Sequence, residues 1–429
     1  MSLVLIATLA LAAMLILGVP VAFALGIAGA LGLYMLGGWS VLSGILQTTT
    51  LSSVNSYELV SIPMFILMAE FVILSGIANG LFNAAALWVG RLRGGLAMAT
   101  ALAGAGFGAI SGSSTASAAT LASTSLPAML RQGYDPKLAS GVVAISGTLA
   151  MLIPPSVALV LYGVIADISV GKLLIAGVIP GLIVTAAIML TVWGVVLIDK
   201  EAAPRASSAS WAAKLRVLKE LGPMLLLFGL ITVCIYTGLA TPTEASAIGA
   251  AGALLLALRS PDFTREGFVN ACSRAVQTTC MILLIIIGAH IFGYFFTLTR
   301  TTYSIVTWVS TLPLDPYVIL AIILFGYILL GCVMDQAAIL ILTVPIVLPV
   351  IKALGFDPIW FGVIVVVTAE LGMVTPPVGL NVFVVSKTTG MPLRTVFAGV
   401  VPHIVAHILV LILLAAVPGL VLWLPQNMQ

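Results

Sequence analysis

Charge is the scarcest ingredient of this chain: of 429 residues, only 7% are Asp, Glu, Lys or Arg. Soluble globular domains carry about 25%, so a water-facing globular fold is excluded. The net charge of +3 is small and scattered, which rules out a nucleic-acid surface. There are four cysteines, Cys234, Cys272, Cys280 and Cys332, with no CxxC or paired spacing. They form neither a disulfide frame nor a thiolate centre and are expected to be small buried hydrophobes. Of the three histidines, His403 and His407 stand at i, i+4 on one predicted helix face without a third His or a nearby acid. They are read as structural polar residues rather than a metal site. A basic segment ahead of the first apolar run is also missing, so residues 1–36 read as retained helices and not as a cleaved signal peptide.

What the chain has in abundance is apolar length. Hydrophobic residues make up 61%, mean hydropathy is +1.25, and runs such as 3–36 and 173–198 are long enough to cross a bilayer. It also repeats itself at an offset of 222 residues. Gly133-Tyr134-Asp135-Pro136 returns as Gly355-Phe356-Asp357-Pro358, Pro154-Pro155 as Pro376-Pro377, and Ala176-Gly177-Val178 as Ala398-Gly399-Val400. Between Pro127 and Pro180, 14 of 54 positions are identical at that offset without a gap. Two copies of one membrane unit, each broken mid-helix, point to a secondary transporter.

Basic residues set the orientation. If each copy holds five crossings and one hairpin that enters and leaves on the same side, 14 basic residues fall inside: Arg91, Arg93, Arg131, Lys137, Lys200, Arg205, Lys214, Arg216, Lys219, Arg259, Arg265, Arg274, Lys387 and Arg394. Only Lys172, Arg300 and Lys352 fall elsewhere. Such a bias obeys the positive-inside rule, and an odd number of crossings makes the second copy upside down. The fold expected is therefore an all-α polytopic membrane protein of two inverted repeats. The first spans 1–205, with a hairpin at 94–130 and a broken helix at 138–166; a cytoplasmic linker follows at 206–222. The second spans 223–429, with a hairpin at 317–352 and a broken helix at 360–386. Residues 37–57 look amphipathic, and 62–87 reads as one crossing.

Non-helical backbone at membrane depth survives only where protein or a water-filled cavity satisfies it. Four such places appear. The hairpin tips read Ser111-Gly112-Ser113-Ser114-Thr115-Ala116-Ser117 and Met334-Asp335-Gln336-Ala337. The breaks read Ile153-Pro154-Pro155-Ser156 and Thr375-Pro376-Pro377-Val378-Gly379-Leu380-Asn381. Each Pro-Pro frees carbonyls from the helix, and these with Ser, Thr and Asn oxygens make a hard-oxygen cage of the kind Na⁺ prefers. Half-helix N-termini beside them suit a carboxylate, so Ser113, Ser114, Ser156 and Asn381 are candidate substrate residues. Arg300 either meets an anionic substrate or snorkels toward the outer surface. Glu370 is either a proton or cation site or a hydrogen-bonded helix residue, and Glu244 after Thr241-Pro242-Thr243 reads as a helix cap.

With these motifs the sequence resembles the large membrane subunit of the TRAP (tripartite ATP-independent periplasmic) transporters, over essentially the whole chain. The resemblance is carried by Gly18-Val19-Pro20, Ile62-Pro63-Met64-Phe65, the first hairpin tip, Ile153-Pro154-Pro155-Ser156, Thr241-Pro242-Thr243-Glu244-Ala245, Met334-Asp335 and, above all, Thr375-Pro376-Pro377-Val378-Gly379-Leu380-Asn381. It implies an elevator-type carrier of the bacterial inner membrane that imports an organic acid such as a C4-dicarboxylate, keto acid or sugar acid. A Na⁺ gradient would drive it, a periplasmic binding protein would deliver the substrate, and a separate small four-helix subunit would brace it. The resemblance further implies ion sites between each hairpin tip and the broken helix of the same repeat: Ser113, Ser114, Thr115 and Ser117 with Gly147, Thr148 and Pro154, and Asp335 with Thr375 and Gly379. Where many relatives carry Asn-Leu-Ala-Ile-Gly, this chain has Thr368-Ala369-Glu370-Leu371-Gly372. The alternatives within the fold are proton coupling and transport without a binding protein. An intramembrane hydrolase is disfavoured, because no histidine lies on either hairpin to activate a serine.

Overall fold

The computed structural model describes residues 2–204, 210–261 and 263–428, and all regular structure among them is helical. The first repeat holds α1 (Ser2–Ile16), α2 (Val21–Ser52), α3 (Ser61–Leu74), α4 (Ile77–Val89), α5 (Gly95–Ser111), α6 (Ser114–Arg131), α7 (Pro136–Ser146), α8 (Val157–Ala166), α9 (Val170–Ala176) and α10 (Val178–Ile198). The second holds α11 (Trp211–Tyr236), α12 (Pro242–Leu258), α13 (Arg265–Leu298), α14 (Thr301–Thr311), α15 (Pro316–Gly331), α16 (Gln336–Ala353), α17 (Pro358–Gly372), α18 (Leu380–Thr389), α19 (Leu393–Ala416) and α20 (Gly419–Gln426). Among the described residues, six helical segments are long and apolar enough to span a bilayer: Val21–Ser52, Tyr57–Leu74, Val170–Ile198, Arg265–Leu298, Gln336–Ala353 and Leu393–Ala416.

The sequence repeat is also a structural one. Starts of α6 and α16, and of α7 and α17, lie 222 residues apart. The turns before α7 and α17 share their conformation: Gly133 has φ 82° and Gly355 φ 83°, a left-handed geometry only glycine takes without strain. Asp135 and Asp357 then cap the two helices, each accepting from the amide two residues on, with proline in the first turn. Both Pro-Pro bonds are cis.

Local differences from the sequence reading have identifiable causes. The amphipathic stretch 37–57 is mostly the distal arm of α2, bent at Gly37 and Gly38, where Gly38 takes φ 67°. The supposed single crossing at 62–87 is two helices, α3 and α4, jointed at Gly76 with φ 72°. Helix α11 starts at Trp211, inside the segment read as linker, while Arg205 lies outside the described residues. Of the cysteines only Cys332 is buried; Cys280 is exposed and the other two are half-buried. In lipid an apolar side chain gains little by facing protein instead of acyl chains, so nothing drives them inward.

Two groups of helices emerge from the packing. Helix α2 lies along α13, and α3 along α12. Small residues let the backbones meet: a Cβ on Gly29 would stand 2.7 Å from the Phe292 amide nitrogen. Glu70 of α3 also pairs with Arg274 of α13, Oε2 to Nη2 at 2.7 Å, joining the two repeats. The second group contains both hairpins and both broken helices. Within it α19 crosses α7 so closely at Gly399 and Gly141 that a Cβ on either would overlap backbone of the other helix. His403 and His407 follow on that inner face of α19 and are both buried.

Candidate functional site

Each hairpin is two helices closed by a short tip. Helix α5 ends at Gly112, with φ 55°, and Ser113 then caps α6 by accepting from the Ala116 amide at 3.4 Å. Hydroxyls crowd this tip: Ser111 and Ser117 Oγ atoms are 2.6 Å apart, and Ser113 Oγ is 3.3 Å from Thr115 Oγ1. Gly147, the first residue of the 3-10 turn that ends α7 (Gly147–Met151), lies against the tip, where a Cβ would stand 2.9 Å from the Ser114 carbonyl oxygen. Thr148 is buried beside it and donates to the Ile145 carbonyl at 2.7 Å. The break then runs through Pro154 to Ser156, which bonds the Met151 carbonyl and caps α8 at Leu159.

The second tip is tied to its own break in the same way. The Gly379 amide donates to the Cys332 carbonyl at 3.2 Å, and Cys332 Sγ lies 3.3 Å from the Pro376 carbonyl oxygen. A Cβ on Gly372 would stand 2.6 Å from the Cα of Gly331, so hairpin and broken helix meet backbone to backbone. Asp335 is exposed at the tip and caps α16 through the Ala337 amide at 3.2 Å. Thr375 donates to the Leu371 carbonyl at 2.6 Å. Gly147 thus meets the first tip at Ser114, and Gly379 bonds the backbone at Cys332 beside the second.

Sequence reasoning did not anticipate the crossing between repeats. Asn381, at the start of α18, reaches the first hairpin: its Nδ2 donates to Ser114 Oγ at 2.7 Å and to the Ala144 carbonyl at 3.4 Å. Its Oδ1 is buried without a hydrogen-bond partner among the described residues. The residue 222 positions after Ala144 is Val366, and its carbonyl also accepts an amide, from Gln336 Nε2 at 3.2 Å. Gln336 itself stands 222 positions after Ser114. One carboxamide therefore serves each half, but in the first half it is borrowed from the second. Tyr162 of α8 completes the crossing by donating to the Pro358 carbonyl of α17 at 2.8 Å.

The half-helix N-termini are less free for an anion than expected. Ser113, Ser156 and Asp335 already cap α6, α8 and α16 with their own side chains; only α18 begins without a side-chain cap, at Gly379 with φ 58°. Arg300 stands exposed in a left-handed turn between α13 and α14. Glu244 forms a capping box with Thr241, as its position predicts.

Chemically, the two tips offer hydroxyls, main-chain carbonyls, one carboxylate and an unpartnered amide oxygen, a hard-oxygen donor set that fits an alkali cation. Residues 8–420 match the family model described as "Tripartite ATP-independent periplasmic transporter, DctM component". The chain is 37% identical over 407 residues, 94% of its length and 93% of the relative's, to the C4-dicarboxylate TRAP transporter large permease protein DctM of Pseudomonas aeruginosa. It is 33% identical to the sialic acid TRAP transporter large permease protein SiaM of Vibrio cholerae, over 88% of each chain. To the isethionate TRAP transporter permease protein DctMQ of Oleidesulfovibrio alaskensis it is 32% identical, covering 95% of this chain and 64% of that one. Among solved structures, the Alcanivorax borkumensis YdaH transporter superposes with a TM-score of 0.64 over 90% of both chains at 14% identity, a likeness of fold.

Proposed function

The chain belongs to the DctM component family of the tripartite ATP-independent periplasmic transporters, and from that premise we propose that it imports an organic acid by Na⁺ symport. The observation carrying this reading is the pair of oxygen-lined tips, each against its own broken helix, with Asn381 of the second broken helix reaching the first tip. Na⁺ entering the first cage would meet Ser113, Ser114, Thr115 and Ser117 with Gly147, Thr148 and Pro154 around it; the second would offer Asp335, Thr375 and Gly379. Ordering both tips would shape a pocket between them, where the hydroxyl and amide donors of Ser113, Ser114, Ser156 and Asn381 would turn from their present partners toward a carboxylate. Coupling follows if the half-loaded carrier moves poorly.

Movement would be of the elevator type, in the inner membrane. The sliding body comprises the hairpins and broken helices together with α19, because backbone contact at Gly141 and Gly399 leaves no room for α19 to stay behind. Helices α2, α3, α12 and α13 would form the fixed frame, braced by a small four-helix subunit. A periplasmic binding protein would deliver the substrate; relatives named for C4-dicarboxylates, sialic acid and isethionate suggest an organic anion.

The test is uptake of radiolabelled organic acids into proteoliposomes holding this chain and its small subunit, with and without the binding protein. Uptake that needs both the binding protein and an inward Na⁺ gradient supports the proposal. Uptake driven by a proton gradient alone, or without the binding protein, overturns that part of it.

A further inference from the structure

The third histidine, His290, stands half-buried on frame helix α13 and belongs to neither hairpin tip. Its Nδ1 lies 2.6 Å from the Oγ of Ser53, the buried residue that ends α2. Among the described residues this is the one hydrogen bond either side chain makes, and it sets the direction of both. A buried hydroxyl hydrogen without an acceptor is costly, so Ser53 donates and Nδ1 accepts. Nε2 then carries the ring hydrogen and is a donor without a partner.

The ring lines the cavity of about 230 Å³ between α13 of the frame and α16 of the second hairpin. His290, Gly293 and Phe296 of α13, with Thr302 of α14, form one wall, and Ile341 and Pro345 of α16 form the other. Among the described residues that line it there is no Asp, Glu, Lys or Arg. A charged guest would therefore enter without a counter-ion, at a cost its contacts could not offset. An apolar cavity of about 150 Å³ takes up one benzene ring, so this one has room for roughly nine non-hydrogen atoms. Apolar walls with one convergent polar group are the usual make-up of a small-molecule site.

We propose that this cavity binds a small uncharged lipophile with one carbonyl acceptor, and that the bound molecule arrests transport. The carbonyl accepts from His290 Nε2, and the apolar body lies between Phe296, Ile341 and Pro345. The arrest rests on the sliding-hairpin reading above, whereas the site does not. Because one wall belongs to the frame and the other to the moving hairpin, the guest loses a whole wall of contacts when α16 moves. A ligand shifts a conformational equilibrium by its difference in affinity for the two states, so occupancy holds the hairpin where it now stands.

The test uses two compounds of the same shape and about nine non-hydrogen atoms, acetophenone and isopropylbenzene, of which only the first has an acceptor. Both are applied to proteoliposomes holding the carrier and its small subunit. Acetophenone should lower the maximal uptake rate and leave the substrate concentration for half-maximal uptake unchanged. Isopropylbenzene should need about threefold to tenfold more for the same effect, the worth of one hydrogen bond. His290→Phe should make the two equally potent. Irradiated acetophenone, whose excited carbonyl attacks nearby C–H bonds, should label peptides of α13 and α16 in wild type and not in Gly293→Phe, where the ring fills the cavity. Equal potency on wild type would mean that any apolar molecule, a lipid tail included, serves as guest, and it overturns the proposed ligand class. Labelling unchanged in Gly293→Phe overturns the site whether or not His290→Phe folds. Labelling of both helices with full uptake retained overturns the arrest, and with it the sliding of α16 along α13, but leaves Na⁺ symport intact.

Discussion

Asn381 and Ser114, 267 residues apart in sequence, share a 2.7 Å hydrogen bond in which the carboxamide of the second broken helix donates to the first hairpin tip. Both residues are fully buried. The bond ties the second broken helix to the first hairpin tip. Replacing Asn381 by Leu, or Ser114 by Ala, should each cost about 1–3 kcal/mol of stability, because a buried polar partner is left unsatisfied. The double variant should fall short of the summed losses by about 1 kcal/mol. Thermal unfolding of the four proteins in detergent measures the cycle, and strict additivity would remove the bond as a coupling element.

Asp335 has two jobs that mutation separates. As cap of α16 it stabilises by about 0.5–2 kcal/mol, and Asn performs that job nearly as well. As the only acid at either tip it is proposed to ligate Na⁺, where Asn lacks the charge. Asp335→Asn should therefore keep wild-type stability and raise the Na⁺ concentration giving half-maximal uptake. Asp335→Ala should lose both. A Na⁺ dependence in Asp335→Asn equal to wild type would remove the residue from the ion site.

The crossing of α7 and α19 tolerates no side chain. Gly399→Val would drive its methyls into the Lys137 carbonyl region, an overpacking that costs about 1–3 kcal/mol or prevents accumulation of folded carrier. Gly194→Ala, where a Cβ meets nothing within 4 Å, should be neutral. Detergent-extracted yield and melting temperature of both variants check this.

A cavity of about 230 Å³ lies between α13 of the frame and α16 of the second hairpin, lined by His290, Gly293, Phe296, Thr297, Pro345 and Ile346 among others. A Cβ on Gly293 has open space around it. Gly293→Phe should be accommodated statically with little loss of stability, yet slow a hairpin that slides along α13. The outcome expected is a reduced maximal uptake rate with unchanged substrate affinity. Full uptake would argue that this interface does not move.

Much of the architecture was written locally. The 222-residue repeat, the caps at Asp135 and Asp357, the glycine turns before them and the Pro-Pro breaks depend on residues within a few positions of one another, so helices and breaks lie where the sequence put them. The joints at Gly76 and Gly37-Gly38 were missed because glycine in an apolar run is as compatible with close helix packing as with a bend. Asn381 was recognised as a polar residue beside a break, but not as the donor to Ser114.

By itself, then, the sequence determined the membrane class, the two copies, the four interruptions and the oxygen chemistry at each, since charge scarcity, proline and hydroxyl placement act over short range. Only the tertiary structure decided which interruption meets which hairpin. Asn381 reaches across to Ser114, and Tyr162 to Pro358. Those pairings arise because two copies close around a shared interior, where every buried donor must find an acceptor from whichever chain segment is nearest, however distant in sequence.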